Sequence, residues 1–284
     1  MPETSNFIRS GVSREGGNRF LAAQQFNAEV PLITVITVVF NGVATIEDTI
    51  QSVLSQSYRN IEHIVIDGGS TDGTLDILKK YDESISYWLS ESDDGIYDAM
   101  NKGMEKASGD VVGFLNSDDF FADASVLEQV AKAFANNEVE ACYADLVYVS
   151  QDRLRAVRHW KSKQFRKGLF ASGWCPPHPT FYVRKSIIEK LGGFDLSFRL
   201  AADAEFMIRY LERYGVHAQY VPRIWVKMRL GGATNRSWSN IVRQNKEIIN
   251  ALGKNGIHVS FLWFLANKIL SRIGQFMMAR IHES

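Results

Sequence analysis

The side chains best suited to chemistry are acidic and polar residues that fall into four clusters. The clusters are Asp67 to Asp72, Asp93 to Asp98, Asn116 to Asp119, and Asp203 with Glu205. Neighbouring carboxylates are costly to hold together unless a cation joins them, and hard divalent cations such as Mg²⁺ and Mn²⁺ prefer oxygen ligands. Mg²⁺ keeps several waters and takes one or two carboxylates together with substrate phosphates. The pattern therefore indicates a site for a metal ion and a diphosphate.

The same clusters also have a purely structural interpretation. A Ser-Asp-Asp sequence after a strand is a common way to build a turn or cap a helix, and Asp203 can serve as a helix N-cap. Gly68, Gly69 and Gly73 are typical turn residues, because glycine adopts positive φ without steric cost. The sequence contains neither GxGxxG after a strand nor GxxxxGK followed by Ser or Thr. This argues against a dinucleotide-dependent oxidoreductase and a P-loop nucleotidase.

The elements that must position these clusters alternate between strand and helix. Residues 32–40 are β-branched and almost continuously apolar, as in a buried strand, and a helix capped by Thr45 follows. Residues 61–66 and 111–115 predict two more strands, which end at Asp67 and Asn116. Such alternation favours a doubly wound α/β fold, in which ligands bind beyond the carboxyl ends of parallel strands. Asp67 and the Asn116 to Asp119 cluster both occupy that edge.

After Phe121 the pattern becomes less regular. We predict a helix at about 125–134, short strands near 141–149, a helix at about 202–214 and a strand near 220–229. Structure is expected to begin at Pro31. The predicted organisation is an N-terminal extension (1–29), two halves of one domain (30–123 and 124–232) and a C-terminal amphipathic helical segment (233–284).

Composition limits the possible partners and locations. The chain has 284 residues, a net charge of zero and 45% hydrophobic residues, so it is neither largely disordered nor a charge-driven binder of nucleic acid. Two distant cysteines favour a reducing compartment. Since no secretory signal or apolar stretch of membrane-spanning length is evident, we expect a cytoplasmic protein.

Two segments predict contact with a membrane surface, although each has an alternative. The basic run 153–163 is either a solvated face or a site for lipid phosphate. Residues 257–280 form an apolar and basic pattern, typical of a helix in the lipid headgroup layer or of a helix docked on protein. The second segment makes peripheral attachment to the inner face of the cell membrane an open alternative.

Several ordered motifs resemble glycosyltransferase family 2. They are Val35-Ile36-Thr37-Val38-Val39-Phe40-Asn41, Ile64-Val65-Ile66-Asp67-Gly68-Gly69-Ser70-Thr71-Asp72-Gly73-Thr74 and Gly113-Phe114-Leu115-Asn116-Ser117-Asp118-Asp119. The block Asp94-Gly95-Ile96-Tyr97-Asp98-Ala99-Met100-Asn101-Lys102-Gly103 is similar to the subgroup found in bacterial O-antigen and capsule gene clusters. The resemblance extends over about residues 32–232.

The resemblance implies a GT-A fold, with a Rossmann-like, mostly parallel nucleotide-sugar-binding half (30–123) and an acceptor-binding half (124–232). It also implies a site for a nucleotide-sugar donor and a Mn²⁺ or Mg²⁺ ion held by Asp118 and Asp119. The predicted donor-binding residues are Phe40, Asp67, Asp94, Asn101, Asn116, Ser117 and Asp118. The acid that ends the second strand contacts the base or ribose in this family, and that role falls to Asp67.

The sequence departs from the family pattern at two donor-site positions. The family often has two acids in a row before Gly-Ser, and Gly68 stands where the second would be. The DxD motif often reads Asp-Ser-Asp-Asp, and here it begins with Asn116. An asparagine can still hydrogen-bond a ribose, which leaves Asp118 or Asp119 as the metal ligand.

The segment 192–205 is similar to the family segment that supplies the catalytic base. The family usually has Glu-Asp there, and Ala202-Asp203 stands in this chain, so Asp203 is the candidate base. It would take a proton from the acceptor hydroxyl during one in-line displacement that inverts the anomeric configuration. His178, which follows a Pro-Pro pair, is a candidate acceptor-site residue.

Three functions are therefore compared. The favoured one is a metal-dependent inverting glycosyltransferase of the hexosyltransferase type, which adds a sugar to a glycan, lipid-linked in our expectation, in bacterial surface polysaccharide biosynthesis. A sugar-1-phosphate nucleotidyltransferase would need Arg and Lys after the first strand, where Asn41 to Ala44 supply neither. A non-catalytic nucleotide-sugar or glycan-binding module is the third, kept open by Asn116 and Ala202.

Overall fold

A computed structural model describes residues 13–20, 26–152, 155–230, 238–260 and 263–264. The strands in this part of the chain are β1 (Arg14–Gly16), β2 (Ile33–Val39), β3 (Ile61–Asp67), β4 (Tyr87–Ser90), β5 (Val111–Phe114), β6 (Asp119–Phe121), β7 (Ala141–Val149), β8 (Ala156–Trp160), β9 (Tyr182–Arg184) and β10 (Ala218–Arg229). The α-helices are α1 (Ile46–Leu54), α2 (Thr74–Lys80), α3 (Ile96–Lys106), α4 (Val126–Phe134), α5 (Lys185–Leu191), α6 (Ala202–Met207) and α7 (Trp238–Lys254).

The ten strands form one sheet in the order β1-β4-β3-β2-β5-β9-β7-β10-β6, with β8 paired to β7. The run β4-β3-β2-β5 is parallel, and β7 and β10 are parallel to each other. Antiparallel β9 joins these two parallel regions. Val39 pairs with Asp67 and Ile36 with Phe114, so the carboxyl ends of β3, β2 and β5 share one edge.

Helices cover both faces of the sheet because successive strand residues point to opposite sides. Ile36 of β2 packs in a core with Met100 and Met104 of α3, whereas the preceding residue, Val35, packs in a second core with Val130 of α4. The predicted α/β architecture, doubly wound around a largely parallel sheet, is thus confirmed.

The N-terminal part of the chain contributes a strand that the sequence did not indicate. Arg14–Gly16 pairs antiparallel with β4, so the expectation that structure begins at Pro31 is wrong. Farther along, the Arg19 guanidinium bonds the buried carboxylate of Glu62 at 2.5 Å. A three-residue strand next to glycines has no hydrophobic period to detect, and its position is set by these tertiary contacts.

Other elements differ from the predictions in length or type. The predicted short strands near 141–149 are one continuous strand, and the helix at 202–214 changes at Ile208 into a π-helix, Ile208–Arg213. Thr45 occupies the N-cap position of α1 without a side-chain capping bond, because its hydroxyl is directed to the carbonyl of Gly42 instead. The short strand β4 was not predicted.

Of the described residues, no helix is both long and apolar enough to span a bilayer. The C-terminal segment includes α7, and its described residues Ala251, Leu252 and Phe264 are buried in the core. Most of the predicted membrane-contacting segment, 257–280, lies outside the described residues, as do residues 153–154 of the basic run.

Gly113 allows the two central strands β5 and β9 to pack closely. A Cβ added there would overlap the fully buried ring of Tyr182. We expect Gly113→Ala to lower the free energy of unfolding by about 1–3 kcal/mol, the usual cost of overpacking a core. Urea unfolding followed by circular dichroism measures this change.

Gly253 offers a matched control for this substitution. It lies in α7, and an added Cβ would meet no atom within 4 Å. Gly253→Ala should therefore leave stability unchanged or raise it by up to about 1 kcal/mol through helix propensity. Equal unfolding free energies for the two variants would contradict the packing argument.

Candidate functional site

The acidic cluster Asn116 to Asp119 forms a tight turn between β5 and β6. The Asn116 Nδ2 amide donates to Oδ2 of Asp119 at 3.1 Å, and the Asp119 backbone N–H donates to the Asn116 carbonyl at 3.0 Å. The Thr49 hydroxyl of α1 donates to the Asp119 carbonyl at 2.7 Å. Asp119 is fully buried whereas Asp118 is partly exposed. The turn therefore directs one carboxylate inward and leaves the other accessible.

Burial makes negative charge at this turn costly. It raises the pKa of the Asp119 carboxyl well above its ordinary value, and the charge of Asp118 adds to that effect. Burial also raises the pKa of Asp118, which the positive charge of Arg229 partly offsets. Among the described residues, Oδ1 of Asp119 and Oδ1 of Asn116 are buried acceptors without a hydrogen-bond partner. These unsatisfied oxygens match the need of a bound cation.

The carboxylates available here fit Mn²⁺ or Mg²⁺ only if a ligand completes the coordination. In the described part of the chain, no group of three or more His, Cys, Asp or Glu side chains is arranged to hold a metal ion. Two carboxylates are nevertheless the usual protein share for Mg²⁺ when substrate phosphates and water supply the remaining oxygens. Asp118 and Asp119 supply that number of carboxylates.

Arg229 contacts the acidic turn through the backbone of Asp118. The sequence did not predict Arg229 as a site residue. Arg229 ends β10 and is 5% exposed. Its Nη1 donates to the Asp118 carbonyl at 2.9 Å, its Nη2 pairs with Oδ2 of Asp48 at 2.5 Å, and the guanidinium lies over the ring of Phe120. The only signal in the sequence was its place at the end of a predicted strand.

Asp203 lies in the first turn of α6 and does not cap that helix. The N-cap is Ala201, which makes no side-chain capping bond. The alternative that Asp203 serves as a helix N-cap is therefore wrong. Instead, Oδ1 of Asp203 accepts a hydrogen bond of 3.0 Å from the Tyr97 hydroxyl of α3. Burial and the charge of Asp203 raise the pKa of Tyr97 well above its ordinary value, so this hydroxyl keeps its proton and donates.

His178 lies near Asp203, and its ring nitrogens make no hydrogen bond within the part of the chain that the structure describes. It is 8% exposed and packs against the rings of Phe114 and Phe194, with centroid distances of 5.2 and 5.6 Å. Burial lowers its pKa, and the charge of Asp203 acts in the opposite direction. A neutral imidazole has one donor and one acceptor nitrogen, and both are buried without a hydrogen bond here. The two ring nitrogens of His178 are therefore suited to bind a hydroxyl group of a ligand, which both donates and accepts.

Tyr97→Phe removes the hydroxyl group that donates a hydrogen bond to Asp203. A bond to a charged group is worth about 1.5–3 kcal/mol, so we expect kcat for sugar transfer to fall roughly tenfold to a hundredfold. The KM for the donor should change little. Steady-state kinetics of nucleoside diphosphate release give both values.

Tyr214→Phe is the control for this substitution because Tyr214 is exposed. Its kinetics should match those of the unaltered protein. If Tyr97→Phe raised the donor KM and left kcat unchanged, Tyr97 would act on the donor rather than on Asp203.

Asp67 is buried at the end of β3 and its carboxylate is engaged locally. It accepts hydrogen bonds from the Ser70 backbone N–H at 3.1 Å and from the Ser90 hydroxyl at 2.6 Å, and also from the Ser70 hydroxyl. Ser70 Oγ in turn accepts the Asn41 N–H at 2.7 Å. Asp67 thus organises the loops at the sheet edge, and its predicted contact with the donor stays a prediction.

The other predicted donor residues occupy different surroundings. Phe40 follows β2 and is 66% exposed, and Ser117 Oγ lies beside Gly42 on the same edge. Asp94 is exposed, and its backbone N–H donates to Asp98. Asn101 uses both ends of its amide to bind the backbone of Phe194, at 3.0 and 2.8 Å. Asn101 thereby joins α3 to the segment before α6.

The structure therefore brings the predicted residues into two groups that share the carboxyl edge of the sheet. One group contains the turn of Asn116 to Asp119, and the other contains Asp203, Tyr97 and His178. Phe114 of β5, two residues before the turn, packs against His178 and connects the groups. Asn101 belongs to a structural contact instead.

Sequence comparison identifies relatives over much of the chain, and the matched family model ends before Asp203. The model of the family described as "Glycosyl transferase family 2" matches residues 34–192. An uncharacterized glycosyltransferase of Mycobacterium tuberculosis (strain ATCC 25618 / H37Rv) is 39% identical over 184 residues, which cover 63% of this chain and 68% of the relative. A PGL/p-HBAD biosynthesis glycosyltransferase of M. tuberculosis (strain ATCC 25177 / H37Ra) is 28% identical over 195 residues, or 67% of this chain and 74% of the relative.

Solved structures show the same fold. TarS 1–349 of S. aureus in complex with UDP-GlcNAc has a TM-score of 0.56 and 16% identity, covering 78% of this chain and 66% of that one. The mannosyltransferase PcManGT of Pyrobaculum calidifontis, in complex with GDP-Man and Mn²⁺, has a TM-score of 0.59 and 19% identity, covering 85% and 74%. Together with the matched family model, the GT-A fold shows that the chain is a glycosyltransferase that belongs to glycosyltransferase family 2.

Proposed function

We propose that the protein is an inverting glycosyltransferase that transfers a sugar from a nucleotide-sugar donor to a glycan acceptor. Residues 30–123 would bind the donor and residues 124–232 the acceptor. We further propose a lipid-linked acceptor and a role in bacterial surface polysaccharide biosynthesis. The named relative in PGL/p-HBAD biosynthesis and neighbours solved with UDP-GlcNAc or GDP-Man support the general assignment.

One observation carries the proposal: the Asp203 carboxylate accepts a hydrogen bond of 3.0 Å from Tyr97 and lies near enough to the buried imidazole of His178 to influence its pKa. Both ring nitrogens of His178 are without a hydrogen bond among the described residues. Acceptor sugars carry hydroxyl groups that both donate and accept hydrogen bonds. A general base within hydrogen-bond reach can take the proton of such a hydroxyl, and a neighbouring imidazole can orient it.

The proposed reaction is a single displacement. Asp203 accepts the proton of the acceptor hydroxyl, and the oxygen forms a bond to the anomeric carbon of the donor sugar. The bond between that carbon and the diphosphate breaks, and the nucleoside diphosphate leaves with the electron pair. Attack from the face opposite the leaving group inverts the configuration.

The remaining residues bind and orient the donor. Asp118 and Asp119 would hold Mn²⁺ or Mg²⁺, which when bound offsets the negative charge of the diphosphate. Asn116 and Ser117 would contact the ribose and phosphates, and Phe40 would contact the base. His178 would orient the acceptor hydroxyl toward Asp203.

A thermal-shift screen tests the donor class. Purified protein is heated with UDP-, GDP- or dTDP-sugars, each with and without Mn²⁺, because a ligand that binds only the folded state raises the melting temperature by mass action. We expect one nucleotide class to raise it, and more strongly with Mn²⁺. Release of nucleoside diphosphate from that donor then reports turnover, and the anomeric configuration of the product by NMR reports inversion.

Assays of the same purified protein distinguish a glycosyltransferase from a nucleotidyltransferase and from a binding module. Pyrophosphate release from a nucleoside triphosphate and a sugar-1-phosphate would identify a nucleotidyltransferase. Donor binding without any hydrolysis or transfer would identify a binding module. Retention of the anomeric configuration would overturn the single displacement, and absence of stabilisation by every donor would overturn the proposal as a whole.

A further inference from the structure

Helix α7 lies outside the region that the family model matches, yet its side chains bind the segment that leads into α6. Oε2 of Glu247 accepts a hydrogen bond of 2.7 Å from the backbone N–H of Leu200. Nε2 of Gln244, one turn earlier on α7, donates to the carbonyl of Leu200 at 3.3 Å. Helix α7 therefore holds both polar groups of the Leu200 backbone, three residues before Asp203.

The same helix also contacts both sides of Leu200. Nζ of Lys254 pairs with the carboxylate of Asp195. Nδ2 of Asn255, the residue after α7, donates to Oε1 of the buried Glu205 at 3.2 Å. The segment 195–205, which contains the candidate base, is thus bound to the C-terminal helix at its start, in its middle and at its end.

Helix α6 has no capping side chain of its own. Its N-cap is Ala201, and a helix start without a capping side chain leaves the entry of the chain to be set by other contacts. The bond between Leu200 and Glu247 lies directly before this N-cap. The orientation of the first turn of α6, and of Asp203 on it, therefore depends on α7.

We propose that Glu247 is a positioning residue for the transfer reaction: it holds the backbone of Leu200 and thereby sets the position of Asp203 relative to the acceptor hydroxyl. This inference rests on the proposed function, in which Asp203 is the general base. A displacement of about 1 Å caused by a residue remote from the chemistry costs about a hundredfold in rate, because the reacting groups must meet in a narrow range of distances.

The charge of Glu247 also reaches the hydroxyl that binds Asp203. Burial raises the pKa of Tyr97 well above its ordinary value, and the negative charges of Asp203 and Glu247 add to that effect. On its outer side, Oε1 of Glu247 lies 3.4 Å from Nε of the exposed Arg243. Glu247 is therefore near the pair of Asp203 and Tyr97, and its hydrogen bond and its charge must be separated by experiment.

Two substitutions of Glu247 make this separation. Glu247→Ala removes the acceptor for the Leu200 N–H, whereas Glu247→Gln keeps an oxygen that accepts this bond and removes only the charge. We expect kcat for sugar transfer to fall about tenfold to a hundredfold in Glu247→Ala and to stay within about threefold of the unaltered value in Glu247→Gln. The Kd of the nucleotide product, measured by isothermal titration, should be unchanged in both variants, because the proposed donor-binding residues lie on other elements.

Hydrogen–deuterium exchange measures the positioning without any substrate. The backbone amides of residues 196–206 should exchange about tenfold faster in Glu247→Ala than in the unaltered protein, because the segment opens more often when the Leu200 N–H loses its partner. In Glu247→Gln these amides should exchange at the unaltered rate. Amides of the acidic turn, residues 116–119, should exchange equally in all three proteins.

Two substitutions of neighbouring residues on α7 are matched controls. Ile248→Val removes one methyl group from a partly buried side chain, so it should lower Tm by a few degrees while leaving the Leu200 bond intact. Lys246→Gln removes an exposed charge. Both variants should keep kcat within about twofold of the unaltered value. Equal losses of kcat in Ile248→Val and Glu247→Ala would attribute the effect to stability and overturn the positioning role.

The remaining outcomes decide between Glu247 and the proposed function. Unchanged kcat in Glu247→Ala would overturn the positioning role, and so would an equal loss in Glu247→Gln, which would assign the effect to charge. A rise in the nucleotide Kd that parallels the fall in kcat would indicate a general structural defect and overturn it as well. If the unaltered protein transfers no sugar from any donor, the proposed function fails, and the exchange rates still decide whether Glu247 holds the segment that carries Asp203.

Discussion

Asp203→Asn is expected to reduce the rate of sugar transfer by about 10²- to 10⁴-fold, the usual contribution of a general base. The amide keeps the shape of the side chain, and its oxygen can still accept the 3.0 Å hydrogen bond from Tyr97. What it loses is basicity, because an amide oxygen does not take a proton from a hydroxyl at neutral pH. The helix should be unaffected since Ala201, not Asp203, is the N-cap of α6.

The affinity for nucleotide distinguishes loss of the general base from disruption of the donor-binding site. The Kd for the nucleotide product should stay within about twofold of the unaltered value, because Asp203 is expected to act on the acceptor. Glu189→Gln, on the exposed side of α5, is the matched control and should transfer sugar normally. Full activity of Asp203→Asn would remove Asp203 from the reaction and with it the proposed mechanism.

Strands of the sheet could be predicted where a strand is long enough to show a continuous apolar, β-branched run. Residues 33–39 are buried along their whole length and β-branched at most positions, so a continuous apolar run sufficed to predict β2. β1 and β4 have three and four residues, and such segments have too few positions to show a period. The π-helix after Met207 was also beyond prediction, because its wider turn is compatible with the same apolar pattern.

For the candidate site, the sequence predicted which loops form it but not the contacts of their side chains. The ends of β3 and β5 were placed correctly because parallel strands share one edge. The partners of individual side chains could not be predicted, since they come from distant elements. Asn101 binds the backbone of Phe194, and Asp93 lies against Gly68, across separations that no local spacing encodes.

Arg229→Met is expected to weaken the acidic turn and its ligand together. The guanidinium is the buried link between the Asp118 carbonyl, the Asp48 carboxylate and the ring of Phe120. Removing it leaves the partly buried Asp118 carbonyl without this donor, at a cost of about 1–3 kcal/mol, whereas Asp48, whose side chain is 32% exposed, can be solvated by water. Because Asp118 would no longer be held in position, the affinity for Mn²⁺ with nucleotide should fall about tenfold to a hundredfold, as for other supporting residues of metal sites.

Asp48→Asn separates the two contacts of Arg229. This variant loses the ion pair, yet the bond from Nη1 of Arg229 to the Asp118 carbonyl can persist at 2.9 Å. It should therefore lower the free energy of unfolding in urea while changing the Mn²⁺ affinity, measured by titration in the presence of nucleotide, by less than about threefold. Equal losses of Mn²⁺ affinity in both variants would show that the ion pair, rather than the carbonyl contact, positions the turn. Unchanged Mn²⁺ affinity in Arg229→Met would exclude any role of Arg229 at the site.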